Sequence, residues 1–190
     1  MEEITLDTLI ARLKDSDPKV RTQAWQSAGK VGAAAVAPLA QVVKEGSLEV
    51  SRAANRALWQ IVRTAGRPGA DDERRATVEK LIALLGNEQA PIQLRRDVIW
   101  MLSEIIEDSQ IKPEAAAKLM ANEDLREDVR ATLIRVPGDN AVAALKAGLA
   151  SAPEDFKPAL ACALRARGVE VPEIPCPKLK PTKQSTLKPA

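Results

Sequence analysis

The sequence predicts an all-α chain of about five antiparallel helix pairs followed by an irregular tail. Three observations predict it. Apolar residues recur at helical spacing along most of the 190 residues. Aromatic residues make up only 2% of the chain, so the core must be built from Leu, Ile, Val and Ala without the β-branched and aromatic runs that suit strands. Finally, 13 prolines and 9 glycines punctuate the pattern at short intervals, as short helices at close spacing require.

The first pair, Leu6 to Gly32, is the template. Leu6, Leu9, Ile10 and Leu13 form the apolar stripe of its first helix, and Val20, Ala24, Ala28 and Val31 that of its second. Pro18 suits the first helical position, where its missing N–H would have no partner in any case, and Asp17 can cap. Neither helix can bury its stripe alone, so the pair needs neighbours of the same kind.

Those neighbours follow in order. Second helices repeat the stripe at Val50/Ala54/Leu58, Leu94/Val98/Leu102, Val129/Leu133 and Phe156/Leu160/Leu164. First helices precede them with Val36/Leu39/Val42/Val43, Val78/Leu81/Ile82/Leu85, Ala115/Leu119 and Val142/Leu145/Leu149. The intervals are unequal, as in a degenerate helical repeat with loop insertions. The largest insertion, Arg63 to Arg75, should break a helix at Gly66, Pro68 and Gly69 and start another at Asp71 and Asp72. Val136 to Asn140 should form a compact turn that caps the next helix. The fourth pair has the thinnest apolar face, AAAKLMA. Residues 1–168 therefore read as one repeat domain. Residues 169–190, rich in Pro and Lys, read as an extended or disordered tail.

The run Asp17-Pro18-Lys19-Val20-Arg21 resembles the HEAT-repeat signature, in which Asp-Pro-x-Val-Arg opens the second helix of a pair. Val20 and Val50 lie 30 residues apart, which is most similar to short bacterial HEAT-like repeats, including those of phycobilin lyases. Weaker copies are Leu48 to Arg52, Ala90-Pro91-Ile92 and Asp128-Val129-Arg130; the fifth pair keeps only the periodicity. The resemblance implies a right-handed, curved α-solenoid whose second helices line a concave binding side. It also implies that the motif residues Arg21, Arg95 and Arg130 form a structural ladder between adjacent units.

Composition narrows function mainly by exclusion. The chain has no histidine, the commonest general base and metal ligand, so Ser-His-Asp and Cys-His arrangements are impossible. Phosphate-binding glycine loops and clustered cysteines are missing too, so neither catalysis nor a metal or cofactor is expected. Glu104, Glu107 and Asp108 read as a solvated face. Cys162, in the pattern ALACAL, reads as a small core residue. Cys162 and Cys176 lie in different kinds of sequence and give no disulfide framework, which makes a reducing cytoplasm the default. No window approaches a membrane span, and the acidic start MEEITLDTLIARL has no secretory-signal pattern.

The positive signal sits on the second helices. Aligning Val20, Val50, Leu94 and Val129 puts Thr22, Arg52, Arg96 and Ala131 two residues on, and Gln26, Arg56, Trp100 and Arg135 six residues on. These two positions share a face roughly 200° from the apolar stripe. The expected binding patch is Arg52, Arg56, Arg96, Trp100 and Arg135, with Trp25 and Trp59 beside the stripe, since exposed Trp and Arg are the side chains most enriched in binding hot spots. The leading expectation is a non-enzymatic scaffold that holds a protein or peptide, acidic where it meets the arginines. The alternatives are nucleic-acid binding, as in HEAT-like DNA alkylation-repair proteins, and a bilin lyase or chaperone-like subunit. A net charge of +2 gives nucleic acid no support by itself.

Overall fold

The computed structural model describes residues 4–175, and among these it contains ten α-helices and no strand. They are α1 (Leu6–Leu13), α2 (Pro18–Ser27), α3 (Val36–Glu45), α4 (Leu48–Ala65), α5 (Asp71–Leu85), α6 (Ile92–Ile105), α7 (Pro113–Met120), α8 (Arg126–Arg135), α9 (Asp139–Ser151) and α10 (Lys157–Ala166). Each even-numbered helix packs on the odd one before it. The even helices also pack on one another in the row α2–α4–α6–α8–α10. Odd helices form a second row, α1–α3–α5 and then α7–α9, with no comparable packing between α5 and α7.

Local chemistry accounts for most of the boundaries. Thr5 caps α1 by accepting from Thr8 N–H at 3.2 Å. Asp17 caps α2 by accepting from Lys19 N–H at 2.8 Å, and Pro18 occupies the first turn. Asp17→Ala should therefore lower stability by about 0.5–2 kcal/mol, read as a shift of the urea midpoint at unchanged m-value.

The second helix of the first pair ends sooner than its stripe suggests. After Ser27 the chain continues through 3-10 turns at Ala28–Lys30 and Gly32–Ala35. There Gly29 packs so tightly on α4 that a Cβ would stand 2.0 Å from Thr64 Oγ1. The insertion behaves as its residues imply. Helix α4 runs to Ala65 with Gly66 as its cap, and α5 begins at Asp71. Across the turn Arg67 donates to both carboxylate oxygens of Glu73, at 2.8 and 2.5 Å, and these bonds hold the Glu73 carboxyl below its usual range.

The core runs continuously through both rows. Leu9, Leu13, Leu39, Leu58, Ile61, Leu81, Leu94, Leu145, Leu160 and Phe156 are essentially inaccessible to solvent. At about 1.5–3 kcal/mol for each fully buried large apolar side chain, this aliphatic core suffices without aromatic clusters. Phe156, the chain's one phenylalanine, lies under the Arg126 guanidinium at 4.8 Å from the ring centroid.

Several expectations need correction. Ala115 is exposed and Ile82 is 39% exposed, although both belong to apolar stripes. Cys162 on α10 is disulfide-bonded and only half-buried, not the free core thiol that its apolar surroundings suggested. The carboxylates of Glu104, Glu107 and Asp108 are all engaged rather than simply solvated: Glu104 with Arg135, Glu107 with Arg74, and Asp108 with the backbone N–H groups of Asn140 and Ala141. Asp108 thereby caps α9, where the turn at Val136 to Asn140 was expected to supply the cap. Beyond α10, Val169 to Pro175 contain no helix, yet Val171 is buried and Arg165 donates to the carbonyls of Val171 and Ile174. The rest of the expected tail, 176–190, lies outside the described residues.

Candidate binding face

The predicted positions lie on the even helices α2, α4, α6 and α8. Arg52, Arg56, Arg96 and Arg135 are all exposed, while Trp25, Trp59 and Trp100 are half-buried. The residue following each aligned position bears on the register as well. Arg21 donates to the carbonyls of Asp15 and Ser16, Ser51 to those of Val43 and Gly46, and Arg95 to that of Leu85. In three pairs, then, this side chain ties the even helix back to the end of its odd partner or to the turn that follows it. The expected ladder between adjacent units is not what these residues make. Arg130 departs from the pattern and pairs with Glu127 on its own helix.

Contacts between even helices come from other residues, and they divide the predicted patch in two. On the α6–α8 side, Asp128 is buried at 7% exposure in the first turn of α8. Its carboxylate accepts from Arg96 Nε at 2.7 Å and from Trp100 Nε1 at 2.9 Å. The bond from Arg96 to Asp128, reinforced by the carboxylate's charge, raises the guanidinium pKa above its ordinary value. Arg135 closes the same junction from the other helix, donating to Glu104 at 2.8 Å. Thr132 adds a buried hydroxyl contact to the Ile99 carbonyl. Arg96, Trp100 and Arg135 are therefore partnered across α6 and α8, and each cation there faces a carboxylate.

The α2–α4 side is different. Arg52, Arg56, Trp59 and Arg63 follow one another at steps of four, three and four residues, which is one stripe along a helix. Arg52 pairs with Glu49, one turn back, and both remain largely exposed. Among the described residues Arg56 makes no ion pair; its guanidinium carbon sits 6.0 Å from the Trp25 ring centroid, across on α2. Arg63 is exposed, and among the described residues its side chain makes neither an ion pair nor a hydrogen bond. Trp25 Nε1 is buried without a hydrogen-bond partner, an uncommon state for an indole N–H. Between the two halves, Asn55 Nδ2 donates to Asp97 at 2.8 Å, and Gln93 Nε2 donates to the other oxygen of Asp97 at 2.9 Å.

Sequence reasoning did not anticipate Asp128 as the organiser of Arg96 and Trp100. Its register position gave no signal, because Glu49 at the equivalent place before Val50 is exposed and pairs with Arg52 on its own helix. Arg63 belongs to the α4 stripe by the same spacing that selected Arg52 and Arg56.

Among the described residues, no group of three or more His, Cys, Asp or Glu side chains is arranged to hold a metal ion, and no helix is long and apolar enough to cross a membrane. No protein-family model matches the chain, and no curated protein matches it either.

Proposed function

We propose that this chain is a non-enzymatic binding module of the HEAT-like, right-handed α-solenoid class, and that it holds an acidic peptide segment along α2 and α4. The solenoid reading draws support from the two rows of helices and from the turn-binding role shared by Arg21, Ser51 and Arg95. The observation that carries the binding reading is the α4 stripe, where Arg56 and Arg63 are exposed without carboxylate partners beside Trp25 and Trp59. Guanidinium groups beside aromatic faces recognise carboxylates with geometric selectivity at low ordering cost. Toward α8 the arginines are matched by Asp128 and Glu104, so the basic surface is not continuous along the row. That distribution favours a short acidic peptide over a nucleic-acid backbone, which needs a longer run of unpaired cations.

The test is a fluorescence-anisotropy titration of the whole chain with a labelled Glu-rich peptide. Arg56→Ala combined with Arg63→Ala should weaken binding about tenfold, that is by about 1.4 kcal/mol. Arg135→Ala should leave it unchanged within about twofold, because that cation already has a partner. Both variants replace exposed side chains, and circular dichroism should be unchanged. Equal affinities for the double variant and the parent chain would overturn the assignment.

A further inference from the structure

The odd-helix row is interrupted once, between α5 and α7, and the interruption is a cleft of about 420 Å³. Its walls come from four helices and the connection before α7, with Ile82, Ile99, Leu102, Ile111, Ala115 and Leu119 among the lining side chains. The cause lies in the sequence of α7. Of the three residues α7 gives to the lining, Ala115 and Ala116 are small, and across the cleft Ile82 on α5 is left 39% exposed. Exposed apolar surface concentrated in a concave site of this size matches small-molecule pockets, which fall at roughly 300–1,000 Å³ with a few polar groups that set orientation.

Those polar groups are few and mostly donors. Lys112 is exposed at the start of α7 and forms no ion pair among the described residues. Gln110 uses its carbonyl oxygen to accept from Glu107 N–H, which leaves its amide N–H groups to donate. Thr132 is committed to the Ile99 carbonyl. Glu79, on the α5 wall, is the one carboxylate in the lining. We propose that this cleft binds a small amphiphile with an unbranched apolar body and a carboxylate head, the body lying between α5 and α7 and the head meeting Lys112 and Gln110, away from Glu79.

Isothermal titration calorimetry of the whole chain with decanoate, decan-1-ol and decylamine tests this. Decanoate should give one saturating site, decan-1-ol a weaker one, and decylamine none. Ala115→Phe, placed on an exposed position, should fill the cleft and remove binding while preserving helicity. Lys112→Ala should weaken decanoate about threefold to fivefold, as expected for one exposed ion pair, and leave decan-1-ol unchanged. The Arg56→Ala/Arg63→Ala chain should bind decanoate like the parent, which separates this site from the α2–α4 face. The proposal is overturned if decanoate gives no saturating heat, if folded Ala115→Phe still binds it, or if decylamine binds equally well. Capture of an apolar helical peptide at the cleft without decanoate binding would overturn it as well.

Discussion

Gly138→Ala should destabilise the chain by about 2–4 kcal/mol, the largest effect expected from any single added methyl group. Two independent reasons converge on this position. Gly138 has φ +130° and ψ 174°, a conformation open essentially to glycine alone, and a side chain there costs about 1–3 kcal/mol. An added Cβ would also stand 2.1 Å from Asp108 Cγ. Asp108 would have to withdraw, giving up its bonds to Asn140 N–H at 3.0 Å and Ala141 N–H at 2.8 Å, a cap worth about 0.5–2 kcal/mol. Urea unfolding at constant m-value measures the loss. Asp108→Ala alone should cost only the cap. The double variant should therefore be less destabilised than the sum of the two, because removing Asp108 relieves the clash. Strict additivity, or a Gly138→Ala chain within 0.5 kcal/mol of the parent (the usual scatter of surface substitutions), would refute the close approach.

This junction also marks where local reading of the sequence stops. Apolar spacing identified the even helices because a buried stripe at helical period is a short-range signal, visible within ten to fifteen residues. Gly66 and Asp71 bounded the insertion for the same reason: helix ends are specified by adjacent chemistry. The cap of α9 has no such signal, since Asp108 precedes Asn140 by 32 residues. Nor does the change to 3-10 turns at Ala28, which accompanies the contact of Gly29 with Thr64 on a different helix. The interruption between α5 and α7 was half legible. The thin apolar face of AAAKLMA warned that α7 would pack poorly, but only the packing reveals which neighbour it fails to meet.

At the candidate face the helical arithmetic selected which side chains point outward, and the structure agrees on exposure for all four arginines. It could not tell an arginine that has a partner from one that lacks it. Arg96 and Arg56 occupy comparable outward positions, yet one meets a buried carboxylate from the next even helix and the other an indole ring. Pairing between even helices depends on which residue the neighbouring helix presents, and the sequence varies that residue from one helix pair to the next.

Asp128→Ala should consequently be the most damaging substitution on the even-helix face, at about 2–3 kcal/mol, because hydrogen bonds to a charged group are worth about 1.5–3 kcal/mol net. The estimate stays at the lower end for a buried charge because Arg96 is nearly half-exposed and can return to water when its partner goes. The indole N–H of half-buried Trp100 has less freedom to do so. Asp128→Asn keeps an oxygen acceptor without the charge and should cost about half as much. Trp100→Phe removes the donor while keeping most of the packing, so its cycle with Asp128→Ala isolates the indole bond at about 1 kcal/mol of coupling. Thermal unfolding of the parent, the three single variants and the double variant gives the answer. If the α6–α8 junction is a structural tie, Asp128→Asn should leave affinity for the acidic peptide unchanged even as the midpoint falls. A midpoint equal to that of the parent would mean that Asp128 does not hold Arg96 and Trp100 in place. Both would then rejoin Arg56 and Arg63 as side chains available to a partner, and the bound segment would extend from α2 across to α8.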